Sequence, residues 1–216
     1  SGGGLDAESA LTLTGTKFIN NSAAQSGGAV NVKGAAILTD AFFSDNRATT
    51  YYGGALYAAE ALTLTGGQFL SNTAGVYGGG VNAMKSVTTR LSPSTGLGTS
   101  FISNTVSNGY GGGLYALGSV NLTGGLFQRN RLLAVSSYGG GLYTNGSLAL
   151  TDTEFIDNVA NWFGGGAYAS VAVTATGGAF QNNTATTFSG GGLAAGSSGT
   201  LRFRDTRFVN NKAGNG

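Results

Sequence analysis

Two motifs recur in one fixed phase along this chain, and that periodicity limits the fold more than any single residue does. The closing motif F-x-x-N occurs eight times: Phe18/Asn21, Phe43/Asn46, Phe69/Asn72, Phe101/Asn104, Phe127/Asn130, Phe155/Asn158, Phe180/Asn183 and Phe208/Asn211. Its phenylalanines are spaced 25, 26, 32, 26, 28, 25 and 28 residues apart. A glycine-led motif keeps the same phase and ends at Leu5, Val30, Leu56, Val81, Leu114, Leu142, Ala167 and Leu193. Self-similarity at such a period is the signature of a solenoid or propeller, because one unit cannot bury its apolar face alone.

The unit from Tyr138 to Asn158 shows what each copy does. A glycine run leads into Leu142. Leu148 and Leu150 then alternate with Ala149 and Thr151, and Phe155-x-x-Asn158 closes the unit. Period-two alternation reads as a strand with one buried face, and no segment sustains a helical period. The expectation is an all-β parallel β-helix, single-stranded, with about eight coils of about 26 residues and three strands per coil. One domain over 1–216 follows from the unbroken repeat. The glycines supply corners that need positive φ or close backbone approach. The column Asn21, Asn46, Asn72, Asn104, Asn130, Asn158, Asn183, Asn211 suits a structural side-chain ladder at the corner after the third strand.

GGAV (27–30), GGAL (53–56), GGGV (78–81) and GGGL (111–114), each alternating with F-x-x-N, resemble the repeats of polymorphic outer-membrane proteins. Those are autotransporter-type surface adhesins. The resemblance spans essentially the whole chain. It implies a right-handed parallel β-helix with an adhesive or structural role, placed outside the cell or on its surface. The sequence departs from that pattern in favouring GGG[LV] over GGA[ILV], and it shows neither a cysteine nor a translocating barrel.

Composition sets bounds on function. Charged residues are 9% of the chain, against about 25% in ordinary globular proteins. The net charge of +2 contains no basic block, so no nucleic-acid partner is implied. No run of 18 apolar residues is present, so no membrane-spanning helix is expected. Histidine is absent and the nine carboxylates are scattered. The closest group is Asp152, Glu154 and Asp157, with the first two expected on a turn. No catalytic constellation, metal site or cofactor is expected from them. The glycine runs lack the lysine and following helix of a phosphate loop. Threonines such as Thr12/Thr14, Thr63/Thr65 and Thr174/Thr176 begin an ice-binding type of array. Ile37, Asn121, Ala149, Arg202 and Arg204 break it, and threonine is a good outward strand residue in any case.

Three surface features remain. The long 32-residue spacing places an insertion at about 88–100, around the single proline, Pro93. RLLAVSS (131–137) is a smaller excursion. Tyr52, Tyr77, Tyr110, Tyr138 and Phe163 precede the glycine runs, and Tyr57, Tyr115, Tyr143 and Tyr168 follow the inward aliphatic residue and should point outward. This stripe has two readings: a surface for glycans, cell-surface partners or a neighbouring rod, or plain stacking that stiffens the rod.

The ends carry the last expectation. Neither shows a capping element, and an open solenoid end offers unpaired strands. Joining residue 216 to residue 1 spaces Phe208 from the next Phe18 by 26 and Leu193 from the next Leu5 by 28, both ordinary for this chain. The expected self-assembly ends are therefore Gly3, Leu5, Leu11, Leu13, Phe18 and Asn21 on one side. On the other they are Leu193, Leu201, Phe203, Phe208 and Asn211. The partner is a second copy stacked head to tail, or these residues lie within a longer adhesin passenger.

Overall fold

The computed structural model describes residues 2–197 and 199–215. Among them the chain winds as a parallel β-solenoid of eight coils, and four eight-stranded sheets run along its axis. Each sheet takes one strand from every coil in sequence order. Coil one comprises Leu5–Ala7, Leu11–Thr14, Lys17–Ile19 and Ser22–Ala23. Coil six comprises Leu142–Thr144, Leu148–Thr151, Glu154–Ile156 and Val159–Ala160. Coil eight comprises Leu193–Ala195, Leu201–Arg204, Arg207–Val209 and Lys212–Ala213. All pairings are parallel and keep the sequence phase, with Phe18 on Phe43 and Phe43 on Phe69. Among the described residues no helix is long and apolar enough to cross a membrane.

The coil thus has four strands, not the three expected. The extra strand is two residues long and follows the ladder asparagine, as Thr73–Ala74 does after Asn72. Two residues cannot display an alternation, so periodicity in one coil is blind to it. Only comparison across coils shows the signal: the second residue after each asparagine is Ala23, Ala48, Ala74, Val106, Leu132, Ala160, Ala185 or Ala213.

This short strand also explains part of the glycine run. Its backbone passes so close to the second glycine that a Cβ on Gly54 would lie 2.6 Å from the Thr73 carbonyl carbon. The same addition at Gly140 would meet Val159 at 2.6 Å. No side chain fits there without moving backbone. The first glycine of the runs in coils two to eight has the other need, a positive φ, 63° at Gly53 and 67° at Gly139.

The main core runs the length of the rod. It takes Val30, Leu56 and Leu114 from the first sheet, Leu38, Leu64 and Leu122 from the second, and the phenylalanines from the third. The fourth sheet closes a separate small core of Ala74, Val106, Leu132 and Ala160. Phenylalanine rings stack from Phe18 to Phe208 with centroids 4.6–5.0 Å apart. Burying such rings is worth about 1.5–3 kcal/mol each, and in-register stacking adds dispersion contact along the whole column.

Two expected boundaries shift. The second strand of coil four runs Val87–Arg90 and the next begins at Ser100, so the insertion is 91–99 rather than 88–100. Thr88, Thr89 and Arg90 stay in the sheet because they pair with Thr63, Leu64 and Thr65. In the smaller excursion Leu132 is buried in the small core, while Leu133 and Val135 are exposed.

Candidate functional site

The asparagine column is a continuous polar ladder. Asn72 shows the pattern. Its backbone N–H donates to Asn104 Oδ1 at 3.0 Å, and its Nδ2 donates to the same oxygen at 3.0 Å. The second Nδ2 hydrogen goes back to the Phe43 carbonyl at 3.1 Å. The same set repeats at Asn104, Asn130 and Asn158. Asn46 through Asn183 are buried, so every one of these bonds replaces a hydrated group. The corner that aims each asparagine inward is set by the residue before it. Asn20, Asp45, Ser71, Ser103, Arg129, Asp157, Asn182 and Asn210 all have φ between 51° and 57°. Short polar side chains dominate that set, as left-handed backbone prefers.

The ladder has a direction. Every asparagine–asparagine bond donates toward the C-terminal end. At coil one Asn21 presents its Oδ1 with no earlier asparagine in the described chain to donate to it. At coil eight Asn211 donates back to Phe180 O at 2.7 Å, with no ninth ladder asparagine ahead of it among the described residues.

The two edges differ in exposure. At coil eight Leu201, Phe203 and Phe208 are 48%, 42% and 47% exposed, although their phases are core positions elsewhere. Leu193 is part-buried against the main core. At coil one Leu5, Leu11, Leu13 and Phe18 are also part-buried. Gly3, Leu5, Leu11, Phe18 and Asn21 share phases with Gly191, Leu193, Leu201, Phe208 and Asn211, as the unbroken register of the sheets requires. Ser1 and Gly216, where the expected joint would be made, lie outside the described residues. The carboxylates of coil one are engaged within the chain. Asp6 accepts from Asn31 Nδ2 at 2.6 Å, which holds its carboxyl below the usual range, and Glu8 pairs with Lys33 at 2.6 Å.

The tyrosine stripe forms one interleaved stack. Tyr52 and Tyr77 stack with parallel rings 5.4 Å apart, and Tyr77 stacks on Tyr110 at 5.4 Å. The outward column joins it, with Tyr77 on Tyr115 at 4.7 Å and Tyr110 on Tyr143 at 5.0 Å. Tyr138 turns edge-on to Tyr110 and stacks on Phe163. All five stripe residues are half-buried. Ring faces are mostly spent on one another, so the surface offers ring edges and hydroxyls. Burial, with help from neighbouring phenols, raises the pKa of Tyr57, Tyr77, Tyr138 and Tyr168 and pushes Tyr115 up to about 12. Asn82 interrupts the outward column between Tyr57 and Tyr115. Its side chain is fully buried, and neither amide atom has a hydrogen-bond partner.

The carboxylates have structural posts. Asp152 (φ 48°) and Asp157 (φ 56°) each hold a left-handed corner. Glu154 opens a strand rather than sitting in a turn, because it pairs with Leu126 and Ala179. Asp152, Glu154, Asp205 and Arg207 rise beside an open groove of about 530 Å³, walled at one end by Leu97 of the insertion. The insertion is tied down by Ser92 and Ser94, whose hydroxyls donate to Asp40 Oδ2 at 3.0 and 2.8 Å. A hollow of about 310 Å³ lies over Ser119, Ser147 and Ala149 of the second sheet, where Asn121 and Ala149 stand in register with Thr174 and interrupt the threonine column.

Residues 40–59 match the Chlamydia polymorphic membrane protein (Chlamydia_PMP) repeat. That span holds Phe43/Asn46 and the GGAL of 53–56. Motif and fold together fit a polymorphic-membrane-protein-like β-helix repeat protein. No curated protein and no solved structure matches the chain. The match lies on one ladder corner and one glycine corner, the two places where the backbone conformation is most demanding.

Proposed function

We propose that this chain is a structural repeat protein of the cell surface, a rod extended by stacking coil eight of one copy on coil one of the next. The repeat match suggests an outer-membrane or surface-associated protein, and the right-handed winding implied by the resemblance is part of the proposal. The observation that carries it is the open, in-register core at coil eight, where Phe203 and Phe208 stand nearly half exposed at phases buried in every coil from two to seven. A following coil with the F-x-x-N motif would cover Phe208 with Phe18 and give Asn211 its missing acceptor. Only head-to-tail order does this, since all ladder donors point one way. Such a heterologous contact does not close on itself, so it propagates as a filament. The interior of the rod has no hand in chemistry on this reading, and the role is non-enzymatic.

The second reading is a passenger segment of an autotransporter-type adhesin. The repeat match favours it, because the same open edges would then meet further coils of one longer chain. The tyrosine stripe and the groove beside the insertion would be its contact surfaces for glycans or neighbouring cells. Light scattering on a size-exclusion column across a hundredfold concentration range separates the two. Growth of mass with concentration supports stacking of copies. A single species at monomer mass at every concentration overturns it in favour of the passenger reading.

A further inference from the structure

The corner between the second and third strands carries a pattern with twice the period of the coil. The first residue after the second strand is Gly15, Asp40, Gly66, Leu91, Gly124, Asp152, Gly177 and Asp205 in coils one to eight. Leu91 opens the insertion. Elsewhere glycine and aspartate alternate, with aspartate only in even coils. The backbone does not require this. All seven other residues have positive φ, from 48° at Asp40 to 67° at Gly177. Both residue types tolerate that conformation.

The side chains give the reason. Asp40 and Asp152 lay their carboxylates along the rod onto the next coil, while the Asp205 carboxylate lies 3.4 Å from Arg204 Nε. A Cβ at Gly66 would lie 2.4 Å from Asp40 Oδ1, and one at Gly177 would lie 2.0 Å from Asp152 Oδ1. Glycine therefore leaves the seat that the preceding aspartate occupies. It also keeps like charges apart. Aspartates in successive coils would sit about 4.8 Å from each other, whereas a glycine coil between them doubles that to about 10 Å, near the screening length at physiological salt.

Asp205 has no such seat ahead of it in the described chain, and coil one offers one. A Cβ on Gly15 would meet nothing within 4 Å. Resting on the stacking reading above, we infer that Asp205 of one copy seats on Gly15 of the next, and that this pair selects which coil coil eight accepts. Following coil eight with coil one continues the alternation without a fault. The neighbouring step, Thr206 onto Thr16, puts side chain over side chain, as Thr16 onto Ala41 already does within the chain. The partner is thus a coil with glycine at this corner, and a coil presenting aspartate there is disfavoured.

The test measures the critical concentration for assembly by pelleting, for the full chain and three variants. Gly15→Asp places like charges at the joint and raises the critical concentration about five- to tenfold at low salt. Salt at about 1 M narrows the gap, since the pair is exposed. Asp205→Gly assembles as the unaltered chain does. The double variant Gly15→Asp with Asp205→Gly keeps the new carboxylate next to Asp40 inside each copy and removes only the intermolecular pair. Its return to the original critical concentration isolates the joint. Melting curves of the dilute variants check that coil one still folds. The inference is overturned if Gly15→Asp assembles like the original chain, or if the double variant is as impaired as the single. If the unaltered chain shows no assembly at all, the stacking reading falls and this inference falls with it.

Discussion

Coils two to seven and coils one and eight carry the same motifs, yet they are different environments. Phe101 in the middle is fully buried, while Phe208 at the same phase is 47% exposed. Asn104 is enclosed and makes hydrogen bonds on both sides, while Asn211 makes them on one. Nothing in the local sequence distinguishes these pairs. A residue in this fold is buried by the coils above and below it, so burial belongs to a coil's neighbours rather than to the coil. Stability then approximates a sum of nearest-neighbour terms, and an end coil holds about half of its own.

The largest expected effect tests that difference directly. Phe101→Ala should cost about 3–5 kcal/mol, the usual loss for a buried ring. Phe208→Ala in the dilute chain should cost under about 2 kcal/mol, because half of that ring is already in water. Urea denaturation of the dilute chain reads both. Equal losses would break the contrast between middle and end.

Next comes the ladder. Asn104→Leu removes the acceptor for the Asn72 backbone and side-chain N–H groups and the donor for the Phe69 carbonyl, all of them buried. The expected cost is about 2–4 kcal/mol, from several unpaired polar groups. Asn211→Leu orphans the equivalent groups, the two Asn183 N–H donors and the Phe180 carbonyl, but beside an open edge where water reaches them, so it should cost less, about 1–2 kcal/mol. Backbone amide exchange at Asn72 sharpens the comparison, since protection there should fall in the first variant and hold in the second.

The tyrosine stack gives a pH test confined to the middle coils. Its raised phenols are neutral in the folded rod above their ordinary value of 10.0. The stability they contribute is fully present below about pH 10 and is lost as pH rises through the folded values, ending near 12 for Tyr115. Spectrophotometric titration should show these phenols ionising later than in the urea-unfolded chain, with melting temperature falling over the same range. Coincident folded and unfolded titrations would contradict the enclosed stack.

The smallest effect belongs to the insertion. Replacing 91–98 with one glycine leaves a Gly-Thr corner like that at 15–16, and should change stability by under about 1 kcal/mol. The loop adds two hydroxyl bonds to Asp40 and little else. A loss of several kcal/mol in thermal unfolding would give the loop a structural role that its exposed Leu91 and Leu97 do not suggest.

The parallel winding was legible because Leu148, Leu150 and Phe155 repeat their phase in coil after coil, and stacking makes phase equivalent to contact. The fourth strand was not, since Val159–Ala160 is too short to alternate. The asparagine column could be read as a ladder, but its direction could not, because donors and acceptors on one amide look alike in sequence. The tyrosine columns were legible as columns. That Tyr77 leans onto Tyr115 rather than keeping to its own file depends on side-chain direction, which spacing does not encode. The alternation of Asp152 and Gly177 was present in the letters, but it becomes meaningful only once the carboxylate is seen lying over the next coil.

On the stacking proposal, the open edges at coils one and eight are equivalent to the interfaces inside the rod. Electron microscopy of the purified full chain, imaged above its assembly concentration, tests it most directly. Stacking predicts unbranched fibres one rod wide, with an axial repeat near 38 Å, about eight strand spacings, and no seam between copies. Discrete rods of about that length with both ends free, at every concentration examined, would contradict it.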